Sequence, residues 1–300
     1  MIKEKTVFIL GAGASIPYGM PSGDNLILNI FNNLETQDYA KRIIDEGFIE
    51  LDLEEFRESL MSSSVSSIDL FLKNRPKFIK LGKILIAYEL MLKENHDSVI
   101  NFKSDWLRYL WGIMMSDCTP LDFNNNNITF ITFNYDRILE HYLFTSLKSI
   151  FGLSDNETAK KIKEIPIFHV FGKLGSLPWE GNSKHRAFSK KLGTFSSLLE
   201  LSESIKTIYE FEGSSLANNI YHHLQEAERI YFLGFGYHTM NLKLLKLSDL
   251  DSEKYINGTT LGISPQDFNR LKNIVPDKFN NLSLGGLDIY GFMKNKMILS

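Results

Sequence analysis

The chain has 300 residues, of which 43% are hydrophobic and 23% are charged, and its formal net charge is -3. These values are typical of a globular protein and give no strongly basic balance that would predict direct binding of nucleic acid. No apolar run reaches the roughly 18 residues of a membrane span, and the N-terminus lacks a signal segment, so the sequence predicts a cytoplasmic protein without membrane contact. The single cysteine, Cys118, excludes an intrachain disulfide and any metal site built from several thiolates, and we expect no metal.

Short apolar runs rich in Val, Ile and Phe alternate with segments of helical spacing. The first predicted strand is 6–10, and a helix is predicted over 22–34. From about 36 to 120 the sequence is helical in character and lacks strand texture, which we interpret as a large helical insertion. Strands that are apolar on both faces and separated by helices predict an α/β fold, a Rossmann-like doubly wound parallel sheet in a single domain, 1–300. Further strands are predicted at 128–136, 166–172, 229–236, 259–264 and 287–291.

Polar and glycine residues gather where the predicted strands end. These ends read GAGAS at 11–15, TFNYD at 132–136, HVFG at 169–172, GFGYH at 234–238 and GIS at 262–264. In an open parallel sheet the carboxyl ends of the strands meet at one edge, and ligands bind in the crevice outside it. The sequence therefore predicts a ligand site built from several loops, with the helical insertion lying over the same edge.

The first of these loops has a Gly-x-Gly pattern at Gly11 and Gly13. Glycines at a strand-to-helix turn let backbone N–H groups approach a pyrophosphate. The loop is not a P-loop, because no Gly-Lys-Ser/Thr follows at the required spacing. It also departs from the dehydrogenase fingerprint, because Ile16 stands at the third glycine position. On this pattern alone, a nucleotide site and a plain tight turn both stay open.

Four motifs in order resemble those of the sirtuin superfamily. GAGAS at 11–15, followed by GMP at 19–21, resembles its first motif, and TFNYD at 132–136 resembles its Thr-Gln-Asn-x-Asp motif. HVFG at 169–172 and GFG at 234–236 stand where the family has its His-Gly pair and a glycine turn beside the cofactor. The resemblance implies NAD+ as the ligand, with contacts from Gly11, Ala12, Gly13, Ser15, Pro21, Asp136, Gly234, Phe235, Gly236, Tyr237 and Ser264.

Departures from the pattern separate the chain from the protein deacylases of that superfamily. One cysteine cannot supply their four-cysteine zinc module, and SGD at 22–24 replaces the Asp-Phe-Arg that closes over nicotinamide. Phe133 replaces the glutamine of the second motif, and the helical insertion stands where a peptide-binding domain would be built. The chain therefore most resembles the bacterial sirtuin-like NAD+ hydrolases of anti-phage defence.

Asn134 and His169 are the candidate catalytic residues. By the resemblance, Asn134 orients the nicotinamide ribose and a water molecule; the alternative is an Asx turn that begins the next helix. His169 is the candidate base because an imidazole can transfer protons near neutral pH. The family's histidine immediately precedes the glycine, where this chain has Phe171, so a buried structural histidine is an equal alternative for His169. His238 is the reserve candidate for the base.

The activity that the resemblance implies is hydrolysis of NAD+ to nicotinamide and ADP-ribose. Two alternatives stay open, a NAD-dependent protein deacylase and a non-catalytic module that binds NAD+ or ADP-ribose and signals to a partner. Members of the similar defence branch work as oligomers or with a helicase, Argonaute or repeat-protein sensor. The resemblance therefore implies a homo-oligomer, a separate sensor protein or both, and abortive infection through depletion of NAD+.

Overall fold

A parallel sheet forms the centre of the computed structural model, which describes residues 1–101, 103–182, 185–190, 198–251, 253–274, 278–279 and 281–299. The strands are β1 (Thr6–Leu10), β2 (Ile128–Thr132), β3 (Ile167–His169), β4 (Arg229–Leu233) and β5 (Tyr255–Gly258). They lie in the order β3-β2-β1-β4-β5, and every neighbouring pair is parallel. Helices flank the sheet. The predicted α/β class and the Rossmann-like parallel sheet are confirmed.

The central strand is β1, whose sequence TVFIL is apolar throughout because both of its faces are covered. All residues of β1 and of β2 are buried. The ring of Phe8 stacks between two rings on the neighbouring strands, with centroids 5.4 Å from Phe130 and 6.0 Å from Tyr231. This row of rings joins β2, β1 and β4 in register, and the loops that follow these strands emerge at the same edge of the sheet.

The sheet is surrounded by helices of very different lengths. Ser22 caps the first helix, since its hydroxyl accepts a hydrogen bond from the backbone N–H of Asn25. The described part of the segment 36–120 contains helices from Gln37–Ile44 to Trp106–Met115. The α-helices are α1 (Gly23–Asn33), α2 (Gln37–Ile44), α3 (Glu50–Ser63), α4 (Ile68–Asn74), α5 (Ile79–Lys93), α6 (His96–Val99), α7 (Trp106–Met115), α8 (Ile138–Phe151), α9 (Asp155–Lys163), α10 (Leu198–Ser202), α11 (Ile208–Phe211), α12 (Ser215–Glu226), α13 (Thr239–Leu244), α14 (Pro265–Ile274) and α15 (Ile289–Lys296).

Two of the predicted strands are wrong. The run at 259–264 is a loop, and the strand precedes it as β5, which contains Asn257 and Gly258, two residue types that are depleted in strands. The run at 287–291 leads into α15, where the Asp288 carboxylate accepts a hydrogen bond from Gly291 N at 2.7 Å and caps the helix. Three other strands are shorter than predicted, because their polar and glycine ends form loops: 128–136, 166–172 and 229–236.

Helices from the segment 36–120 contact the loop that follows β1. The Trp106 indole N–H donates a hydrogen bond to the backbone oxygen of Ala14 at 2.8 Å. The Tyr18 hydroxyl donates to the Asp105 carboxylate at 2.8 Å, just before α7 begins. The segment is therefore anchored at the carboxyl edge of the sheet. Separately, no helix in the described part of the chain combines the length and the apolar character needed to span a bilayer.

Candidate functional site

The loops after β1 and β4 leave the sheet side by side, because the strand order reverses at β1. Gly13 N donates to Gly234 O at 2.9 Å, and Gly11 N donates to Leu233 O at 3.1 Å. A Cβ at Gly13 would lie 2.8 Å from Gly234 O, and one at Gly11 would lie 2.6 Å from the same atom. Gly234 itself has φ +59°, in the left-handed region. These glycines are required by the close contact of the two loops.

This contact changes what the first loop offers to a ligand. The N–H groups of Gly11, Gly13, Ala14 and Ser15 all donate to backbone oxygens. The sequence suggested that this turn would hold pyrophosphate through its amides, and four of them are already engaged. The nearby N-terminus of α1, with Gly23 among the residues facing the same crevice, instead presents N–H groups that a helix leaves without intrahelical partners.

These loops enclose a cavity of about 520 Å³, within the usual range for small-molecule sites. From the first loop, its lining includes Gly11, Ala12, Gly13 and Pro21. From the loops after β2 and β4, its lining includes Asn134, Asp136, Gly234, Phe235 and Gly236. Most of the residues predicted for the site therefore meet in one cavity at the point where the strand order reverses.

Three phenylalanines from three different strand ends form an aromatic wall of this cavity. Phe133 meets Phe171 edge to face at a centroid distance of 5.6 Å, and it meets Phe235 in the same way at 5.1 Å. All three rings line the cavity. An aromatic wall of this kind favours a ligand with a flat ring system.

The Asn134 side chain is held in one orientation by its own amide group. Its Nδ2 donates to Gly11 O and to the Ser15 hydroxyl, both at 3.0 Å. Its backbone N–H donates to the Thr132 hydroxyl at 3.0 Å. Among the described residues, none donates a hydrogen bond to its Oδ1, so this oxygen is available as an acceptor for a ligand hydroxyl or a water molecule.

Asp136 is a buried carboxylate at the base of the cavity, with only 7% of its surface exposed. Burial raises the pKa of Asp136 to about 6, although hydrogen bonds from the Ser15 hydroxyl and from the backbone N–H of Ile138 lower it. Ser15 does not line the cavity, but it contacts both Asn134 and Asp136. The serine therefore positions the two polar groups that do.

His169 does not line the cavity. Its Nδ1 lies 2.9 Å from the backbone oxygen of Asn134, and its Nε2 lies 2.7 Å from a carboxylate oxygen of Glu140. Both ring nitrogens are thus occupied by protein partners, and neither faces the cavity. The geometry favours the structural alternative, in which His169 holds the backbone of Asn134. Phe171, which stands directly before the glycine, faces the cavity in its place.

Ser264 and Tyr237 also lie outside the cavity lining. The Ser264 hydroxyl donates to Asp267 at 2.7 Å and accepts from its N–H at 3.1 Å, at the start of α14. Tyr237 adopts φ 51° and is buried among aromatic rings, and burial raises its pKa. Its hydroxyl has no hydrogen-bond partner among the described residues.

Sequence reasoning placed the segment 36–120 over this edge of the sheet but named none of the residues by which it lines the cavity. Ser66, Ser67, Ile68 and Asp69, at the start of α4, line it. The only local signal was a serine followed two residues later by an acid, which is a common way to begin a helix and carries no functional information. His238, the reserve candidate, lines the opposite side, after β4.

The charges in the cavity are unbalanced. Its described lining includes the carboxylates of Asp24, Asp69 and Asp136 and the imidazole of His238, and no lysine or arginine. An anionic ligand would therefore be held by backbone N–H groups, whereas a cationic group would meet carboxylates. Within the described ranges, no three His, Cys, Asp or Glu side chains are grouped as metal ligands.

No protein-family model matches the chain, and no curated protein matches it either. The sirtuin-like resemblance therefore depends on the four motifs and on the way the cavity brings them together.

Proposed function

We propose that the chain is a sirtuin-like NAD+ hydrolase, which releases nicotinamide and ADP-ribose. The observation that supports this best is the orientation of Asn134, whose amide nitrogen is fixed by two hydrogen bonds while its Oδ1 faces no protein donor among the described residues. It lines the same cavity as the aromatic wall and a buried carboxylate. The aromatic wall suits the flat nicotinamide ring of NAD+, and the carboxylate suits its positive charge. The Asn134 oxygen suits a ribose hydroxyl.

The proposed reaction breaks the bond between the nicotinamide nitrogen and C1′ of its ribose. Positive charge develops on the ribose as the electron pair leaves with nicotinamide. Asn134 accepts a hydrogen bond from a ribose hydroxyl or from the attacking water. Asp136, ionised above about pH 6, stabilises the developing positive charge across a cavity with no competing cationic side chain among its described lining. Water then adds to C1′ and loses a proton.

Binding of the pyrophosphate rests on the backbone in this proposal. The N-terminus of α1 lies at the cavity, with Ser22 and Gly23 in the lining, and its dipole favours an anion there. Asp24 in the same turn opposes that effect. No metal is part of the proposed mechanism.

One observation favours a second candidate, a module that binds NAD+ or ADP-ribose without turnover. Phe171 faces the cavity where the family's catalytic histidine is expected, and His169 has both ring nitrogens engaged. A site that binds the dinucleotide but lacks a general base would have these features. The deacylase alternative has no such support in the cavity.

Incubation of the purified protein with NAD+, followed by chromatographic detection of nicotinamide, tests the proposal directly. We expect Asn134→Ala to lower nicotinamide release by about 100-fold or more, since its contact strengthens as charge develops, while the Kd for NAD+ from calorimetry stays close to that of the unchanged protein. Asn295→Ala is the matched control, because this exposed amide on α15 only bonds its own helix. Binding without release in the unchanged protein would favour the binding module, and release by Asn134→Ala at the full rate would refute the mechanism.

The proposal extends to a cytoplasmic role in anti-phage defence, through depletion of cellular NAD+. An NAD+ hydrolase without control would harm its own cell, so we propose that the protein alone has a low but measurable basal rate and that oligomerisation or a separate sensor protein of the helicase, Argonaute or repeat type raises it. Measurement of cellular NAD+ during phage infection, in cells carrying the chain or its Asn134→Ala variant, tests this role. A fall in NAD+ only with the unchanged chain supports it, and equal NAD+ in both contradicts it.

A further inference from the structure

An acid from the segment 36–120 enters the cavity and is held there by the TFNYD loop. Asp69 lies in the first turn of α4, which Ser67 caps by accepting from its N–H at 3.2 Å. The hydroxyl of Tyr135 donates to Asp69 Oδ1. Burial raises the pKa of Tyr135 well above its usual value, so the hydroxyl stays protonated and remains a donor. Asp69 is thus fixed in position by a residue next to Asn134.

His238 lies on another side of the same cavity, in the loop after β4. It directly precedes α13, and it follows Gly236, whose added Cβ would lie 3.2 Å from His238 Nε2. Its ring forms no hydrogen bond with the described residues, in contrast to His169. Of the described cavity lining, it is the one imidazole. Its lone pair is therefore accessible to a bound water molecule.

Asp69 and His238 line the same cavity. Burial raises the pKa of Asp69, while hydrogen bonds from Tyr135 and Ser67 and the charge of His238 lower it. The other titratable side chains in the described cavity lining are Asp24, Tyr135 and Asp136. Asp136 is already bonded by Ser15 and the Ile138 N–H. The donors to the Asp69 carboxylate in the described chain are the neutral hydroxyls of Tyr135 and Ser67, so its charge stays available to the imidazole across the cavity.

We propose that His238 is the general base of the cavity and that Asp69 is the positioning residue that stabilises its protonated form. This inference rests on the proposed NAD+ hydrolase function. Water attacks C1′, the nicotinamide nitrogen leaves with the electron pair of the broken bond, and His238 takes the proton that the water loses. The segment 36–120 then contributes a functional group, so the site is incomplete without it.

The experiment compares nicotinamide release between pH 5 and pH 9 in His238→Gln, Asp69→Asn and Tyr135→Phe. We expect His238→Gln to lose about 100-fold or more, the usual contribution of a general base, with the Kd for NAD+ nearly unchanged. In Asp69→Asn the imidazolium loses its stabilising charge, so we expect the acidic limb of the rate profile to move about one unit to lower pH. Tyr135→Phe keeps the Asp69 carboxylate but removes the hydrogen bond that fixes it. We expect it to move the acidic limb to lower pH by less than Asp69→Asn does. His222→Gln is the control, since His222 lines a separate cleft with Lys5 and Glu226.

A second measurement does not depend on turnover. The His238 ring signal can be assigned by its loss in the His238→Gln spectrum, and its titration followed by NMR. We expect its midpoint to fall in Asp69→Asn and to stay in place in His222→Gln. Because His238 is exposed, its substitution leaves the fold intact even if a change at Asp69 does not.

The outcomes separate the two proposals. If the unchanged protein releases no nicotinamide, the hydrolase function fails and the base assignment falls with it. If Asn134→Ala stops release but His238→Gln does not, the hydrolase stands and His238 is not the base. An unchanged midpoint and pH profile in Asp69→Asn would overturn the positioning role of Asp69 alone.

Discussion

Asp136 and Arg137 are neighbours in the sequence, yet of the two only the Arg137 side chain forms an ion pair with a described residue. Arg137 is fully buried and donates to both carboxylate oxygens of Glu94 at 2.9 Å and 2.8 Å. It also donates to the backbone oxygens of Ser176 and Arg186. Asp136 has no cationic partner of this kind among the described residues, and burial raises its pKa to about 6.

The difference extends beyond this pair. Below the cavity, burial raises the pKa of Glu140, but the Lys173 ammonium and His169 bring it below its ordinary value. In the cavity, the pKa values of Asp69 and Asp136 are raised. Paired buried charges hold elements together, whereas carboxylates left without a cation are what a ligand-binding or catalytic site requires. This contrast separates the structural charges from the candidate functional ones.

The largest expected effect comes from breaking the paired region. Glu94→Gln leaves Arg137 and Arg186 buried without their shared carboxylate, and we expect a loss of about 3–5 kcal/mol in the free energy of unfolding. Urea unfolding measures it. Asp155→Asn removes the partner of Lys148 in an exposed pair and should change less than about 1 kcal/mol. Equal effects of the two substitutions would break the comparison.

The contribution of Asp136 to the free energy of unfolding should depend on pH in the opposite direction to that of a paired carboxylate such as Glu140. Asp136 has a pKa of about 6 in the folded protein, above its ordinary value of 3.8, so the fold favours the protonated form. Its charge therefore destabilises the fold progressively between about pH 4 and pH 6 and fully above, by about 3 kcal/mol at 1.36 kcal/mol per unit. We expect Asp136→Asn to gain most of this at pH 8 and little at pH 4, as followed by thermal unfolding.

Glu140→Gln is the matched control for that experiment. Because the pKa of Glu140 is lowered in the fold, its contribution to stability is present above its ordinary range near 4.5 and is lost as the pH falls. Glu140→Gln should therefore lose stability at pH 8, and most of that loss should remain at pH 4, because the folded pKa of Glu140 lies well below that pH. If Asp136→Asn and Glu140→Gln change stability in the same direction at pH 8, the contrast between the two regions is not electrostatic.

The sequence predicted the apolar framework and the residues next to it. The run at 6–10 is β1 residue for residue, because a central parallel strand must be apolar on both faces. β5 was missed, since Asn257 and Gly258 lie in a strand only through pairing with β4, which local composition does not encode. The run at 287–291 reads equally as a strand or as the start of a buried helix.

The site was predictable to the same extent. Asn134 and Asp136 were predicted because they follow a strand end and match a family motif, and both line the cavity. Asp69 was not, because its place in the cavity depends on how α4 packs against a loop more than 60 residues later in the chain. The role of His169 depended on partners, Asn134 O and Glu140, that only the fold brings within reach.

The close backbone contact between Gly13 and Gly234 at the cavity allows a test that does not involve charge. A Cβ at Gly13 would lie 2.8 Å from two backbone atoms of Gly234, so Gly13→Ala should cost about 1–3 kcal/mol of stability and weaken NAD+ binding together with it. Gly112→Ala is the control, because its Cβ would meet no atom within 4 Å and it lies in α7, where alanine should add up to about 1 kcal/mol. Binding lost by Gly13→Ala at full stability would mean that the residue contacts the ligand directly.

The smallest expected effect tests whether every unpaired buried polar group marks the site. The Tyr237 hydroxyl is buried without a partner in the described chain, but it lies against Phe232 and Phe279, outside the cavity lining. If it serves no ligand, Tyr237→Phe should remove an unsatisfied group and raise the free energy of unfolding by up to about 1 kcal/mol, with an unchanged Kd for NAD+. Urea unfolding and calorimetry on the same preparation measure the two quantities. A weaker Kd in Tyr237→Phe would instead return Tyr237 to the ligand contacts that the sequence predicts, because removing one hydroxyl from an aromatic cluster leaves the packing of its ring unchanged.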